Sequence, residues 1–237
     1  MQPMPHPLDR AVWNALNGRL SHLTTADSTA LARRIAPEVG VFLTAADGSD
    51  DSRAALDALA LAHPGAGMVE RSDGPMADVL PRSVAVARQV DLVQMTCTAL
   101  TPSRAPDGRD LAYETLTEAD GPAMLALATL TKPGPFRSRT GELGPFIGVR
   151  QDGELIAMAG RRLRVDGFTE LSGLCTHPDH RGRGLAAALA RVVVGEILAT
   201  GEQAFLHAFA DHHDSIAFYR RMGFEVRAPM TYTILAE

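Results

Sequence analysis

Hydrophobic positions change period along the 237-residue chain, and each change marks an element. In residues 7–18, Trp13 and Leu16 share one face of a short helix. Residues 33–37 and 39–43 read as two extended pieces, the second a buried strand. The polar turn 47–51 can cap a helix over 52–63, where Leu56, Leu59 and Ala60 recur at helical spacing before Pro64-Gly65 stops it. Residues 67–70 and 90–95 read as further strands. Residues 101–108 hold two prolines, one glycine and no apolar residue larger than alanine, so they are the expected linker. This predicts an N-terminal α/β domain, 1–106, and a second domain, 107–237.

The second half is patterned more sharply. Residues 111–116 alternate as a strand, Thr117 can cap a helix over 118–130, and Lys132-Pro133-Gly134-Pro135-Phe136 ends it. Strands over 145–150 and 154–159 flank the hairpin signal Asp152-Gly153, and Asp166-Gly167 makes a second such turn before a strand reaching Thr176. A helix begins near Leu185 and stops at Gly201. The strand 203–209 follows a helical crossover, so it should run parallel to 171–176. Residues 214–222 form the last helix, with Phe218 and Met222 on its core face.

Between the strand and the helix at Leu185 lies His177-Pro178-Asp179-His180-Arg181-Gly182-Arg183-Gly184. Glycines let the backbone approach a ligand, and the first amides of a helix lack internal partners, so this loop is built to hold an anion. Arg181 and Arg183 add charge, and no carboxylate lies between Arg181 and Gly195. A dinucleotide site is disfavoured: six residues, Thr176 to Arg181, separate the strand from the first glycine, and hairpins stand where a βαβ unit would begin. No G-x-x-x-x-G-K-[ST] occurs.

Composition narrows the class. A net charge of −5 argues against a nucleic-acid partner, although a local patch stays open. Cys97 and Cys175 are too few for a disulfide framework and sit in apolar runs. No apolar run approaches eighteen residues and no basic-then-apolar leader opens the chain, so a cytoplasmic protein without membrane contact is expected. His212 with His213, or His177 with His180, lacks a third metal ligand, and no metal is expected. Arginine almost entirely replaces lysine, which suggests a GC-rich bacterial source.

Arg181, Gly184 and Ala186 fit Arg-x-x-Gly-x-Ala after an apolar strand, and Ser215-Ile216-Ala217-Phe218-Tyr219-Arg220-Arg221-Met222-Gly223-Phe224 places a helix-borne tyrosine before Gly-Phe. Together these closely resemble the GCN5-related N-acetyltransferases (GNAT), nearest their FR47-like branch, over about residues 111–237. The resemblance implies an α/β (α+β) fold with a mixed, mostly antiparallel sheet and flanking helices. It implies acetyl-CoA as co-substrate, with Arg181, Gly182, Arg183, Gly184, Leu185 and Ala186 around its pyrophosphate. Leu174, Cys175 and Thr176 would form a bulge whose amides face the acyl group, and Tyr219 would protonate the leaving thiolate. The first half would be a degenerate copy of the second, a reading its mixed signals permit.

Glu170, eleven residues before Arg181, stands where histone-type members carry a general base with a pKa raised by apolar surroundings; a solvent-facing strand-end carboxylate is the other reading. His212 occupies the place of a coenzyme-contacting asparagine and can also donate. Cys175 reads as a buried core residue rather than a nucleophile. Tyr219 is an acid or a core aromatic, and the 132–144 loop an acceptor cover or ordinary surface. The implied reaction is acetyl transfer to a primary amine by direct attack in a ternary complex. A small molecule, an amino acid or a protein or peptide α-amine all fit, and a homodimer stays open. The alternative is a non-catalytic acyl-CoA-binding regulatory module.

Overall fold

The structure, a computed structural model, describes residues 6–102 and 111–236. Five helices, α1 (Ala11–Asn17), α2 (Asp50–Ala62), α3 (Gly121–Thr131), α4 (Leu185–Ala199) and α5 (His213–Met222), surround the strands. β1 (Ala32–Arg34) and β2 (Leu43–Ala45) form a small antiparallel pair. The other strands are β3 (Gly67–Arg71), β4 (Val86–Cys97), β5 (Glu114–Leu116), β6 (Phe146–Gln151), β7 (Glu154–Val165), β8 (Phe168–Thr176), β9 (Gln203–Phe209) and β10 (Glu225–Leu235). They make one sheet in the order β3-β10-β4-β9-β8-β7-β6-β5, antiparallel throughout except for β8 with β9.

Most expected elements form, for local reasons. Ser49 caps α2 by accepting from the Ser52 amide, with Asp50 and Asp51 in the first turn where the helix dipole favours them. Asp152 and Gly153 both take positive φ, 52° and 84°, as the tight hairpin turn between β6 and β7 requires. Gly201, at φ 81°, follows α4 as a left-handed stop.

The expected division of the chain is not a division of the sheet. β10 has two edges to fill, and both are taken by strands from the first half: β3 on one side and β4 on the other. β4 also pairs with β9, so it lies in the middle of the second half's strands. The boundary at 106/107 therefore separates two stretches that complete one sheet. It falls, with most of the linker candidate, outside the described residues.

Alternation sends neighbouring side chains of β9 to opposite faces. Ala204, Leu206 and Ala208 pack beneath α4 with Leu189, Val193 and Ile197, while Phe205 joins the core under α1 with Leu16, Leu163 and Phe168. Phe205 and Phe224 are at 0% and 1% exposure, and burying each contributes about 1.5–3 kcal/mol.

Candidate active site

β8 and β9 pair in parallel over only three steps, Phe168 with Gln203 to Glu170 with Phe205. Beyond them the strands part. The sequence predicted this parallel pair, and the gap it opens is where both cavities of the site begin.

The first cavity, about 590 Å³, is lined by the turn from His180 through Ala187, by Leu174, Cys175 and Thr176, and by Phe218 and Tyr219 of α5. Gly182 and Gly184 take φ of 76° and 78°, a left-handed backbone that side chains rarely adopt. A Cβ on either would meet nothing within 4 Å, so the conformation rather than crowding demands glycine. The amides of Gly182, Arg183, Gly184, Leu185, Ala186 and Ala187 donate to no acceptor among the described residues; the first α4 bond is Ala188 N–H to the Gly184 carbonyl. Thr176 also lines this cleft, and its buried Oγ1 bonds nothing there. A row of unpaired donors at a helix N-terminus fits the pyrophosphate of coenzyme A. The Arg181 side chain makes no hydrogen bond among the described residues, whereas Arg183 is held by Gln151 Oε1 at 2.9 Å and His180 Nδ1 at 2.8 Å.

The expected bulge is present but begins earlier than residues 174–176. Met158 pairs with Cys175 and Gly160 with Ser172, so Gly173 and Leu174 together oppose Ala159. Gly173 has φ of 62°, and a Cβ there would stand 2.6 Å from the Phe146 ring. Both constraints exclude a side chain. Cys175 itself faces Met158 and the α3 core; burial pushes its thiol up to about 11, which keeps it protonated.

The second cavity, about 240 Å³, lies on the other side of Tyr219. Phe42, Val69 and Leu92 of the first half form part of its wall; Arg162, His207 and Tyr232 supply polar groups, and the Lys132 to Pro135 turn borders it. Phe136 anchors that turn by packing edge-on against Phe146, ring centres 5.8 Å apart. Pro133, Leu174, Ser215 and Tyr219 line both cavities, so the two meet there. Tyr219 is half-buried, burial pushes its hydroxyl up to about 12, and it has no hydrogen-bond partner among the described residues. His212, at the start of α5, is exposed and meets the Phe209 ring edge-on, ring centres 4.9 Å apart. It borders the second cavity, not the cleft at the glycine turn.

Glu170 departs from expectation. It is fully buried, not at a solvent-facing strand end. Oε1 accepts from Arg162 Nη2 at 2.8 Å and His207 Nδ1 at 2.7 Å, and Oε2 from Arg162 Nε at 2.8 Å and the Leu163 amide at 3.2 Å. Burial pushes its pKa up, but the Arg162 charge and hydrogen bonds, helped by His207, outweigh that and hold it down to about 2. The expected rise is reversed because a guanidinium, rather than an apolar wall, faces the carboxylate. With its acceptor sites used, Glu170 lines neither cavity. It orients two groups that do.

The network continues outward. Gln94 Nε2 donates to the Leu8 carbonyl at 3.1 Å and lies 3.2 Å from His207 Nε2, while its Oε1 accepts from Arg227 at 2.7 Å. Arg227 therefore sets the Gln94 amide, which aims its Nε2 at His207, and His207 in turn points Nδ1 at Glu170. No local pattern announces Arg162, His207 or Phe42 as site residues. The one available signal is Arg161-Arg162, a charged pair that ends the uncharged run Leu155–Gly160 of β7.

The FR47-like protein family matches residues 146–233. Among solved structures, a protein from Novosphingobium aromaticivorans assigned to the GNAT family of acetyltransferases is 40% identical, covering 98% of this chain and 99% of that one, with a TM-score of 0.83. A GCN5-related N-acetyltransferase from Kribbella flavida is 20% identical over 99% of this chain and 97% of that one at a TM-score of 0.69. A GCN5-related N-acetyltransferase-like protein from Streptococcus suis is 14% identical over 98% and 94%, at 0.59; these last two show a shared fold. No curated protein matches the sequence. The chain belongs to the GNAT acetyltransferases, whose members draw on acetyl-CoA. Residues 146–233 carry the likeness to their FR47-like branch.

Proposed function

We propose that this protein transfers an acetyl group from acetyl-CoA to a primary amine by direct attack, with both substrates bound together. The observation that carries this reading is the meeting of the two cavities at Tyr219, Leu174, Ser215 and Pro133. One cavity offers unpaired amides for a pyrophosphate; the other is a separate chamber for an acceptor. Acetyl-CoA supplies an activated thioester carbonyl.

Each residue's part follows from what the transfer demands. The amides of Gly182 to Ala187, with Arg181, hold the phosphates. The strand interruption at Gly173 and Leu174 presents backbone donors to the carbonyl as it gains negative charge. Tyr219, protonated at any physiological pH, stands where the departing sulfur needs a proton. Glu170 is a positioning residue that holds Arg162 and His207 at the acceptor chamber rather than a base that touches the amine. Cys175 takes no covalent part.

Thiol release from acetyl-CoA in the presence of pooled amines tests the activity. Tyr219→Phe should lower turnover about 100-fold or more while coenzyme affinity, read by calorimetry, barely changes. Unaltered turnover would remove Tyr219 as the acid. Coenzyme binding without transfer to any amine would leave the binding-module reading in place.

A further inference from the structure

Lys132, Arg162, His207 and His212 line the acceptor chamber, and Arg137 lines an adjoining hollow of about 490 Å³ that shares Pro135 and Tyr232 with it. Among the described residues, no carboxylate lines either one. In a chain with 28 acidic residues against 23 basic ones, that exclusion is selective. Lys132 is the chain's sole lysine, and it stands at this mouth.

Arg162 is the central group. Glu170 takes its Nε and Nη2, and the guanidinium lies over the Phe42 ring with its carbon 5.0 Å from the ring centre. Nη1 has no partner among the described residues. One edge of the fork is thus locked by a buried carboxylate, while the other is left with donors to spare. Tyr232 reports the same field: burial raises its pKa, and Arg162, Arg137 and Arg34 all pull the other way. Phe42, Val69, Leu92, Leu206 and Phe209 give the wall an apolar stretch.

We propose that the acceptor is an amine bearing a carboxylate on an apolar body, a free apolar or aromatic amino acid, with its carboxylate on Arg162 and Lys132. This rests on the acetyltransferase reading above. A polyamine or aminoglycoside would bring further positive charge into a chamber that offers it no counter-charge, which costs desolvation without recompense. A peptide's α-amine has an uncharged carbonyl where the free amino acid has its carboxylate, and would leave the Arg162 donors less well matched.

The test compares, on the wild-type protein, thiol release from acetyl-CoA with leucine and phenylalanine, their methyl esters, their amides, an N-terminal leucyl peptide and spermidine. The free acids should exceed their esters and amides in kcat/KM by about 10- to 100-fold, as expected for charged hydrogen bonds lost with the carboxylate. Lys132→Gln, at an exposed position, and Arg162→Lys, which keeps a charge beside Glu170, should each shrink that ratio. Equal use of acids and esters, or preference for the peptide or spermidine, overturns the carboxylate proposal and leaves the acetyltransferase standing. A ratio unmoved in both folded variants overturns it as well. Silence across the whole panel overturns it together with the proposed activity, and calorimetry with coenzyme A then shows whether the donor cleft is correctly read.

Discussion

The two chambers that meet at Tyr219 are built on opposite principles. The donor cleft is largely one continuous run, from Leu174 through Ala187, closed by one face of α5. Its working groups are mostly backbone amides, presented by a turn and a helix end. The acceptor chamber draws on Phe42, Val69, Leu92, Lys132, Arg162, His207 and Tyr232, brought together from across the chain by the sheet order β3-β10-β4-β9-β8-β7. Its working groups are side chains, and they are fixed by one another. A backbone device tolerates any residue the backbone conformation allows; a side-chain device fails when one partner goes.

The largest expected effect separates the two directly. Glu170→Ala leaves Arg162 buried without its partner, and should cost about 3–5 kcal/mol in chemical denaturation. Acceptor saturation should be lost, while the folded fraction still binds coenzyme A. If coenzyme affinity collapsed equally, the chambers would not be independent.

A second buried glutamate, on β3 beside the chamber, sharpens the point. Glu70 meets Thr44 at 3.1 Å and Arg10 at 3.7 Å, but its Oε2 has no partner among the described residues, and burial pushes its pKa up to about 7. A carboxyl whose folded pKa is raised stabilises the fold fully below its unfolded pKa of 4.5, and that stability drains away as pH rises through 7. The loss amounts to about 3 kcal/mol. Glu70→Gln should flatten stability between pH 5 and 7 in thermal melts, with no change in acceptor KM. Glu170, held low, works the other way, its contribution vanishing only as the solution becomes strongly acidic. Stability that did not decline across pH 5–7 in the wild type would contradict the Glu70 assignment.

The smallest expected effect lies on the donor side. Gly184→Ala forces a side chain into a φ of 78°, a strain of about 1–2 kcal/mol, and tilts the first α4 amides. Coenzyme affinity should fall about tenfold while acceptor KM holds. A change confined to the acceptor would break the assignment of the glycine turn.

How much was legible follows from the same contrast. The turn at Gly182 and Gly184, the helix at Leu185, the parallel β8–β9 pair and Tyr219 could all be read from local order, because spacing alone constrains a strand, a turn and a helix. The bulge lies earlier than the sequence predicts, since Gly173 reads as an ordinary strand residue and only the fold sets Phe146 against it. Glu170 was identified as important with the wrong electrostatics: nothing nearby in sequence shows that Arg162 and His207 close on it. Composition points to a linker over 101–108, most of it outside the described residues, but nothing in the sequence shows that β4 crosses back to lie between β9 and β10.

By itself the sequence determined the elements, the glycine turn before α4 and the family, because these depend on periodicity, glycine and short spacings. Only the tertiary structure decided which charges face each other: that Glu170 is spent on Arg162, that among the described residues no carboxylate lines the second cavity, and that the first half walls it. Charge interaction depends on distance and burial, and both are set by the order in which strands from distant parts of the chain join one sheet.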